Sequence, residues 1–438
     1  MYLTHFTLRN IRAIRTIKWT VPLRRAPGWH VILGDNGSGK SSVLRSVALG
    51  LVGPTEAMAL RQDWERWVRK QGGPGHILLQ LAPDPKLDEP VGSKAQKPPR
   101  NLLIDMRFLR VGGQLRPIGF LESQARVIGG PNPRKFVWGG GTGWFCASYG
   151  PFRRFTGGDE DYEKLFSTTP QLARHLSVFD ESVALTEGLR WLQQLQFKRF
   201  EGEPEGALLK PLMEFINQPG FLPHQARLVS ISSREVLFVD GNGYHVPVEE
   251  LSDGYRSVLS MTFELIRQLA ATYGPKRVFR AKDPTIVDVP GVVLIDEVDA
   301  HLHPTWQRRV GLWFREHFPK LQFIVTTHSP LVCQAAEVGT VWRLPKPGTD
   351  EEARQVTGVE LDRLIYGNVL DAYGTGLFGE GVARSKQAKE RLQRLAELNL
   401  KEVRKGLTVA ERKEQRALRA SQPTAAMTVR AAEGGSGA

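Results

Sequence analysis

The hydrophobic positions change rhythm along the chain. YLTHFTLRN, residues 2–10, alternates apolar and polar side chains, the period of a half-buried strand. GWHVILG, residues 28–34, is a short continuous apolar run of the kind buried in a parallel sheet. A basic turn ending at Pro27 and Gly28 is expected to separate these two strands. SSVLRSVALGLVG then spaces its apolar residues as a helix does. Residues 84–100, GGPNPRK near 129–135 and GGGTG at 139–143 read as loops, and 160–215 reads as helical.

After Glu250 the pattern becomes helix, strand, helix, strand: VLSMTFELIRQLAATYG, GVVLIDE, TWQRRVGLWFREHF and FIVTTHS. That alternation predicts an α/β fold with a mainly parallel sheet. SKQAKERLQRLAELNLKEVRKG and TVAERKEQRALRA predict two basic helices, with Thr408 and Glu411 placed as a capping box for the second, and EGGSGA reads as a disordered end. No heptad pattern continues long enough for a coiled-coil arm.

Composition narrows the class. With 438 residues, 41% hydrophobic and 24% charged, the chain can bury a core, which excludes a mainly disordered or fibrous protein. No run approaches the ~18 apolar residues of a membrane helix. The N-terminus alternates instead of showing a charged end and an apolar block, so no signal peptide is expected and the chain reads as cytoplasmic. Two cysteines supply neither a disulfide framework nor a zinc quartet. A net charge of +13 favours polyanionic partners such as DNA. From Arg384 to Ala420, twelve Lys and Arg stand against five Glu, so much of the excess lies in the tail. Those glutamates interleave with the cations as on a solvated helix, leaving partner docking, packing on the core and DNA contact open.

Candidate chemistry sits at strand ends. Gly34, Asp35, Asn36, Gly37, Ser38, Gly39, Lys40 and Ser41 match G-x-x-x-x-G-K-[ST] between a strand and a helix. Glycines there let backbone N–H groups wrap a triphosphate, Lys40 reaches the β- and γ-phosphates, and Ser41 ligates Mg²⁺, with Ser42 beside it. The apolar run Val292–Ile295 ends in Asp296, a second Mg²⁺ ligand, and Glu297, which would polarise the attacking water. Phe323–Thr327 ends in His328, placed to reach the γ-phosphate or the water. Ser252, in Leu251-Ser252-Asp253-Gly254-Tyr255, is a good N-cap for the helix that follows. Arg153 and Arg154 either touch phosphate or pair with Asp159 and Glu160.

The order phosphate loop, L-S-x-G, hydrophobic-Asp-Glu and His resembles the ATP-binding-cassette (ABC) ATPases. The resemblance implies an α/β ABC-ATPase head: a P-loop NTPase core whose mainly parallel sheet is flanked by helices, with a helical insertion and a basic helical C-terminal tail. It also implies two copies sandwiching two ATP molecules, with Ser252 and Gly254 on the partner's γ-phosphate. The implied division is 1–55 and 246–345 for the two parts of the core, 56–245 for a lobe or insertion, and 346–438 for the tail. L-R-N-I-R-A-I resembles the start of the SMC/RecF/OLD branch, in which the residue at Arg12 lies near the nucleotide. His301 and His303, in D-E-V-D-A-H-L-H-P, have a metal-ligand spacing, although the resemblance places them in a dimer-packing loop.

The signature departs from the transporter form as S-D-G-Y, and no Gln follows WFCASYG. Y-G-P-F-R-R, the long insert and the basic tail are similar to stand-alone ATPases of bacterial antiviral systems of the Septu and retron type. There an ATPase holds a separate effector such as a nuclease. The implied function is thus a Mg²⁺-dependent, ATP-hydrolysing sensor or regulator. The alternatives are a RecF/SMC-like recombination or repair ATPase and, less fittingly, a transporter motor subunit.

Overall fold

A computed structural model describes residues 1–70, 72–92, 98–119, 131–159, 162, 165, 168–378 and 385–420. Glu160, part of the expected helical region and the expected disordered end lie outside the described residues. The chain forms two compact units, Met1–Ala372 and Tyr373–Ala438.

The first unit opens with three strands where the sequence suggested two: β1 (Tyr2–Ile11), β2 (Ile14–Thr20) and β3 (Gly28–Leu33). The basic stretch read as a turn contains β2, which pairs antiparallel with β1 and buries Ile14, Ile17 and Trp19 while its charged positions face outward. Strands β4 (His76–Ala82), β5 (Leu102–Val111) and β6 (Gln114–Gly119) complete an antiparallel sheet in the order β2-β1-β4-β5-β6. The stretch 56–245 therefore carries strands as well as helices.

A second sheet is built on the fully buried β3, joined by β7 (Cys146–Tyr149). After two small antiparallel sheets, of β8 (Arg227–Ile231), β9 (Val236–Val239) and β10 (His245–Pro247), and of β11 (Phe279–Arg280) and β12 (Asp283–Val287), its remaining strands follow. These are β13 (Gly291–Ile295), β14 (Leu321–Thr327), β15 (Gly339–Arg343) and β16 (Arg354–Gln355), giving the order β16-β15-β3-β14-β13-β7. All its pairings are parallel except that of β16. This is the α/β fold with a mainly parallel sheet that the alternation of helices and strands predicts.

The helix Lys40–Val52 lies between the sheets and is buried on nearly every side through Val43, Leu44, Val47, Ala48 and Leu51. Gly50 permits this closeness, because a Cβ there would lie 2.5 Å from Leu79 Cδ1. Gln322 on β14 ties the sheets together: its amide donates to the Leu3 carbonyl (2.8 Å) and its oxygen accepts from the Leu3 N–H (2.7 Å). A buried side chain thus satisfies both polar groups of a backbone residue, as a neighbouring strand would.

The helices Asp253–Tyr273 and Pro304–His317 form where periodicity placed them. Between 160 and 215 the helical reading fails in part. Two single turns, Pro170–Ala173 and Leu176–Phe179, stop at Asp180, whose carboxylate accepts from the Ser182 N–H (2.9 Å) and hydroxyl (2.6 Å). Such local bonds compete with helix continuation. Helices Glu187–Phe200 and Leu209–Ile216 follow.

The second unit contains the two expected helices, Lys386–Lys405 and Val409–Ala420. The capping box forms in both directions: Glu411 N–H donates to Thr408 Oγ1 (3.3 Å), and Thr408 N–H donates to Glu411 Oε2 (3.0 Å). Arg394 pairs with Glu414 at 3.0 Å, and Lys401 pairs with Glu411, across the two helices.

Candidate functional site

Parallel register lines up the strand ends. Val325 lies opposite Ile295 on one side and Val31 on the other, so the phosphate loop, His328 and the Asp296-Glu297 pair leave one edge of the sheet from adjacent strands. Open α/β sheets bind ligands at this carboxyl edge.

The phosphate loop turns through left-handed Gly37 (φ +78°) and Gly39 (φ +96°). A Cβ on Gly34 would come 2.3 Å from Ser38 Oγ, and one on Gly39 would press on Ile14 and Ala13 of the β1–β2 turn. Ser38 Oγ is buried without a hydrogen-bond partner, and Lys40 Nζ donates to the carbonyls of Gly34 (2.9 Å) and Asp35 (3.1 Å). Backbone N–H groups, an unpartnered hydroxyl and a retained ammonium suit a polyphosphate. Burial lowers the Lys40 pKa, while Glu297, Asp296, Asp35 and Asp299 oppose the shift. Ser41 and Ser42 open the helix, Asn36 is exposed at the loop's tip, and Asp35 is held by Arg343 from β15 at 3.2 Å. A cavity of about 560 Å³ runs from Gly37 and Ser38 along Ile14, Thr16 and Lys18 to Lys346.

Asp296 is buried and accepts from Thr326 Oγ1 (2.5 Å), and the same hydroxyl accepts from the Glu297 N–H (2.8 Å). Thr327 Oγ1 donates to Asp299 (2.6 Å). These two threonines orient the acids and were not singled out by sequence, because their partners sit 28 and 30 residues away. Glu297 has φ +45°, a left-handed conformation that costs a non-glycine residue on the order of 1–3 kcal/mol. His328 is exposed, and burial and then Lys40 lower its pKa, against Asp299, Glu297 and Asp35.

Ser252 occupies the N-cap of its helix, yet its side chain makes no capping bond and is exposed. Gly254 faces the carbonyl of His301, which a Cβ would approach to 2.9 Å. Both line a separate cavity of about 630 Å³ with His224, Tyr255, His301 and His303, and no phosphate-loop residue borders it. The structure brings Lys40, Asp296, Glu297 and His328 together and keeps Ser252 and Gly254 apart from them within one chain. His303 caps its helix, accepting from Thr305 N–H (3.4 Å), and no metal cluster of His, Cys, Asp and Glu forms among the described residues.

Arg12 is outside the lining of the phosphate-loop cavity. Its guanidinium stacks 4.5 Å above Trp67, its Nε is buried without a partner, and burial followed by Arg45 pushes its pKa down to about 10. Arg153 is not placed as expected for a phosphate contact or for a pair with Asp159: it is buried against backbone carbonyls and Ser257, with no carboxylate among its hydrogen-bond partners in the described residues, and Glu160 lies outside those residues. Burial pushes its pKa down to about 10, with Asp296, Asp299 and Glu297 opposing. Arg154 donates to the carbonyls of Gly157 (2.9 Å) and Glu181 (3.3 Å). Where a Gln was missing, Tyr149 at the end of β7 reaches Gln268 (3.4 Å).

The family described as "AAA domain, putative AbiEii toxin, Type IV TA system" matches residues 167–334. Septu protein PtuA of Bacillus mycoides (strain KBAB4) is 25% identical over 338 residues, 75% of this chain and 38% of that protein. The Retron Ec83 probable ATPase of Escherichia coli is 35% identical over 124 residues, 28% of this chain and 22% of that one. This chain thus spans well under half the length of these curated relatives. Among solved structures, an Smc head bound to the C-winged helix domain of ScpA aligns over 82% of this chain and 99% of that one, at 15% identity and a TM-score of 0.47. The chain is therefore similar to Septu PtuA and retron ATPases, and it carries a match to an AAA domain over residues 167–334.

Proposed function

We propose that this protein binds and hydrolyses ATP, that two copies close around two nucleotides, and that a separate effector protein answers to that cycle in bacterial antiviral defence. One observation carries the reading: the phosphate-loop lysine, two acids and a histidine share one sheet edge, while Ser252 and Gly254 line a separate cavity. A site divided in this way is completed when the signature of one copy covers the phosphate edge of another. The names of the relatives, Septu PtuA and retron ATPases, support the defence setting.

In this mechanism the loop from Gly34 to Ser41 wraps the triphosphate with backbone N–H groups, and Lys40 exchanges its two carbonyl partners for phosphate oxygens. Ser41 and Asp296 would hold Mg²⁺, which offsets phosphate charge when bound. The donor set fits: a hydroxyl at the helix start and a buried carboxylate whose Oδ1 is already oriented by Thr326. Glu297 orients the attacking water and accepts its proton, and His328 accepts a hydrogen bond beside it.

Sedimentation of the Glu297→Gln variant under saturating Mg-ATP tests the sandwich. A shift from one to two copies is expected, and a species that stays single overturns it. Phosphate release by the unaltered chain tests hydrolysis, and pull-down of the native complex tests the effector.

A further inference from the structure

We propose that Arg153 is a positioning residue that sets the backbone of Glu297 and links that setting to the helix beginning at Ser252. The inference rests on the ATPase reading above and extends it to a residue outside the nucleotide motifs. A guanidinium has five N–H donors in a rigid plane. In Arg153 five hydrogen bonds leave that plane: Nε to Ser257 Oγ (2.9 Å), Nη1 to the carbonyls of Gly150 (3.0 Å) and Asp296 (3.0 Å), and Nη2 to those of Glu297 (3.2 Å) and Val298 (3.5 Å). The side chain is 5% exposed.

A buried cation whose hydrogen bonds all go to neutral groups is an expensive arrangement if its only task is packing. What it accomplishes is specific. Three consecutive carbonyls, of residues 296–298, converge on one planar group, and the central residue is the one with φ +45°. Thr326 holds the same residue from the other side through the Glu297 N–H. The carboxylate assigned to the water is thereby carried on a backbone fixed at both its N–H and its carbonyl.

The remaining two bonds reach other elements. Gly150 follows β7, and Ser257 lies in the first turns of the helix that starts after Ser252, just beyond the signature turn. A phosphate that docks on Ser252 and Gly254 from a partner copy therefore acts on a helix that shares one guanidinium with the Glu297 turn. Closure of one site can adjust the other without a chain of flexible side chains between them. A lysine could supply charge and some carbonyl bonds, but not the planar five-way bridge.

The test uses the full-length chain carrying Arg153→Met, Arg153→Lys or Ser257→Ala, measured by phosphate release and by equilibrium binding of a fluorescent ATP analogue. Arg153→Met is expected to lower kcat about tenfold or more with nucleotide affinity within about threefold, since the phosphate loop is untouched. Arg153→Lys is expected to recover part of that loss, and Ser257→Ala to lower kcat by roughly threefold or more at unchanged affinity. Combined with Glu297→Asp, Arg153→Met should cost less than the product of the two single losses, because both act through one carboxylate. A merely structural role predicts multiplicative losses and affinity falling in step with turnover, and either result overturns the proposal. Should Arg153→Met fail to fold, Ser257→Ala decides: wild-type kcat there overturns the link. Normal release by the unaltered chain and Arg153→Met alike removes this inference only. No release by the unaltered chain removes the ATPase reading and this inference with it.

Discussion

The strand-end site and the C-terminal helical hairpin are both rich in charge, but they hold it differently. At the sheet edge, Lys40 spends its donors on two loop carbonyls, Ser38 Oγ has no partner and Glu297 sits in an unfavourable backbone region. In the hairpin, Arg394 meets Glu414, Lys401 meets Glu411, and a complete capping box starts the second helix. Both of those ion pairs are solvent-exposed on at least one side, where such contacts contribute little. The contrast shows which charges await something. The edge holds groups that suit a ligand's phosphates, as the proposed function requires, whereas much of the hairpin's charge is answered within the hairpin.

Breaking the edge should have the largest effects. Glu297→Gln should lower phosphate release by about 10²-fold or more while ATP still binds. Loss of nucleotide affinity in that variant would move Glu297 from water activation to binding. Lys40→Ala should weaken ATP binding about 10- to 150-fold, from a charge-assisted contact of about 1.5–3 kcal/mol. Titration calorimetry finding unchanged affinity would remove Lys40 from the site.

A smaller effect is expected at His328. Because its folded-state pKa is depressed, acidification must pass below the ordinary value of 6.5 before the ring is charged and its accepting nitrogen lost. The acid limb of the kcat/KM profile, which reports the free protein, should therefore lie below pH 6.5. His328→Gln should erase that limb and lower kcat about tenfold, the worth of one hydrogen bond near 1.4 kcal/mol. The smallest change belongs to the hairpin. Thr408→Ala should destabilise the second helix by about 1 kcal/mol, read as faster amide exchange at its first turn, with ATP turnover unchanged. A fall in turnover would show that the hairpin's folding is coupled to catalysis.

Much of the edge was legible because each motif lies at the end of an apolar run. Val31–Leu33, Val292–Ile295 and Phe323–Thr327 announce buried parallel strands, and the residues after them must emerge together. What stayed illegible depends on distant partners. Arg153 beside Asp159 looks like half of a surface ion pair, and only the fold brings Ser257 and the carbonyls of 296–298 to it. β2 was read as a turn because its outward face is charged, and the break after Phe179 follows from a side-chain bond at Asp180 that periodicity does not register. Thr326 and Thr327 escaped notice for a related reason: on a strand they are ordinary β-branched residues until acids come within reach.

The left-handed backbone at Glu297 sets durability against turnover. Glycine would sit there at ease, so under the proposed mechanism Glu297→Gly relaxes the fold while it removes the group that orients the water. A sturdier molecule and an acid in that uncomfortable place are thus opposed demands on a single residue.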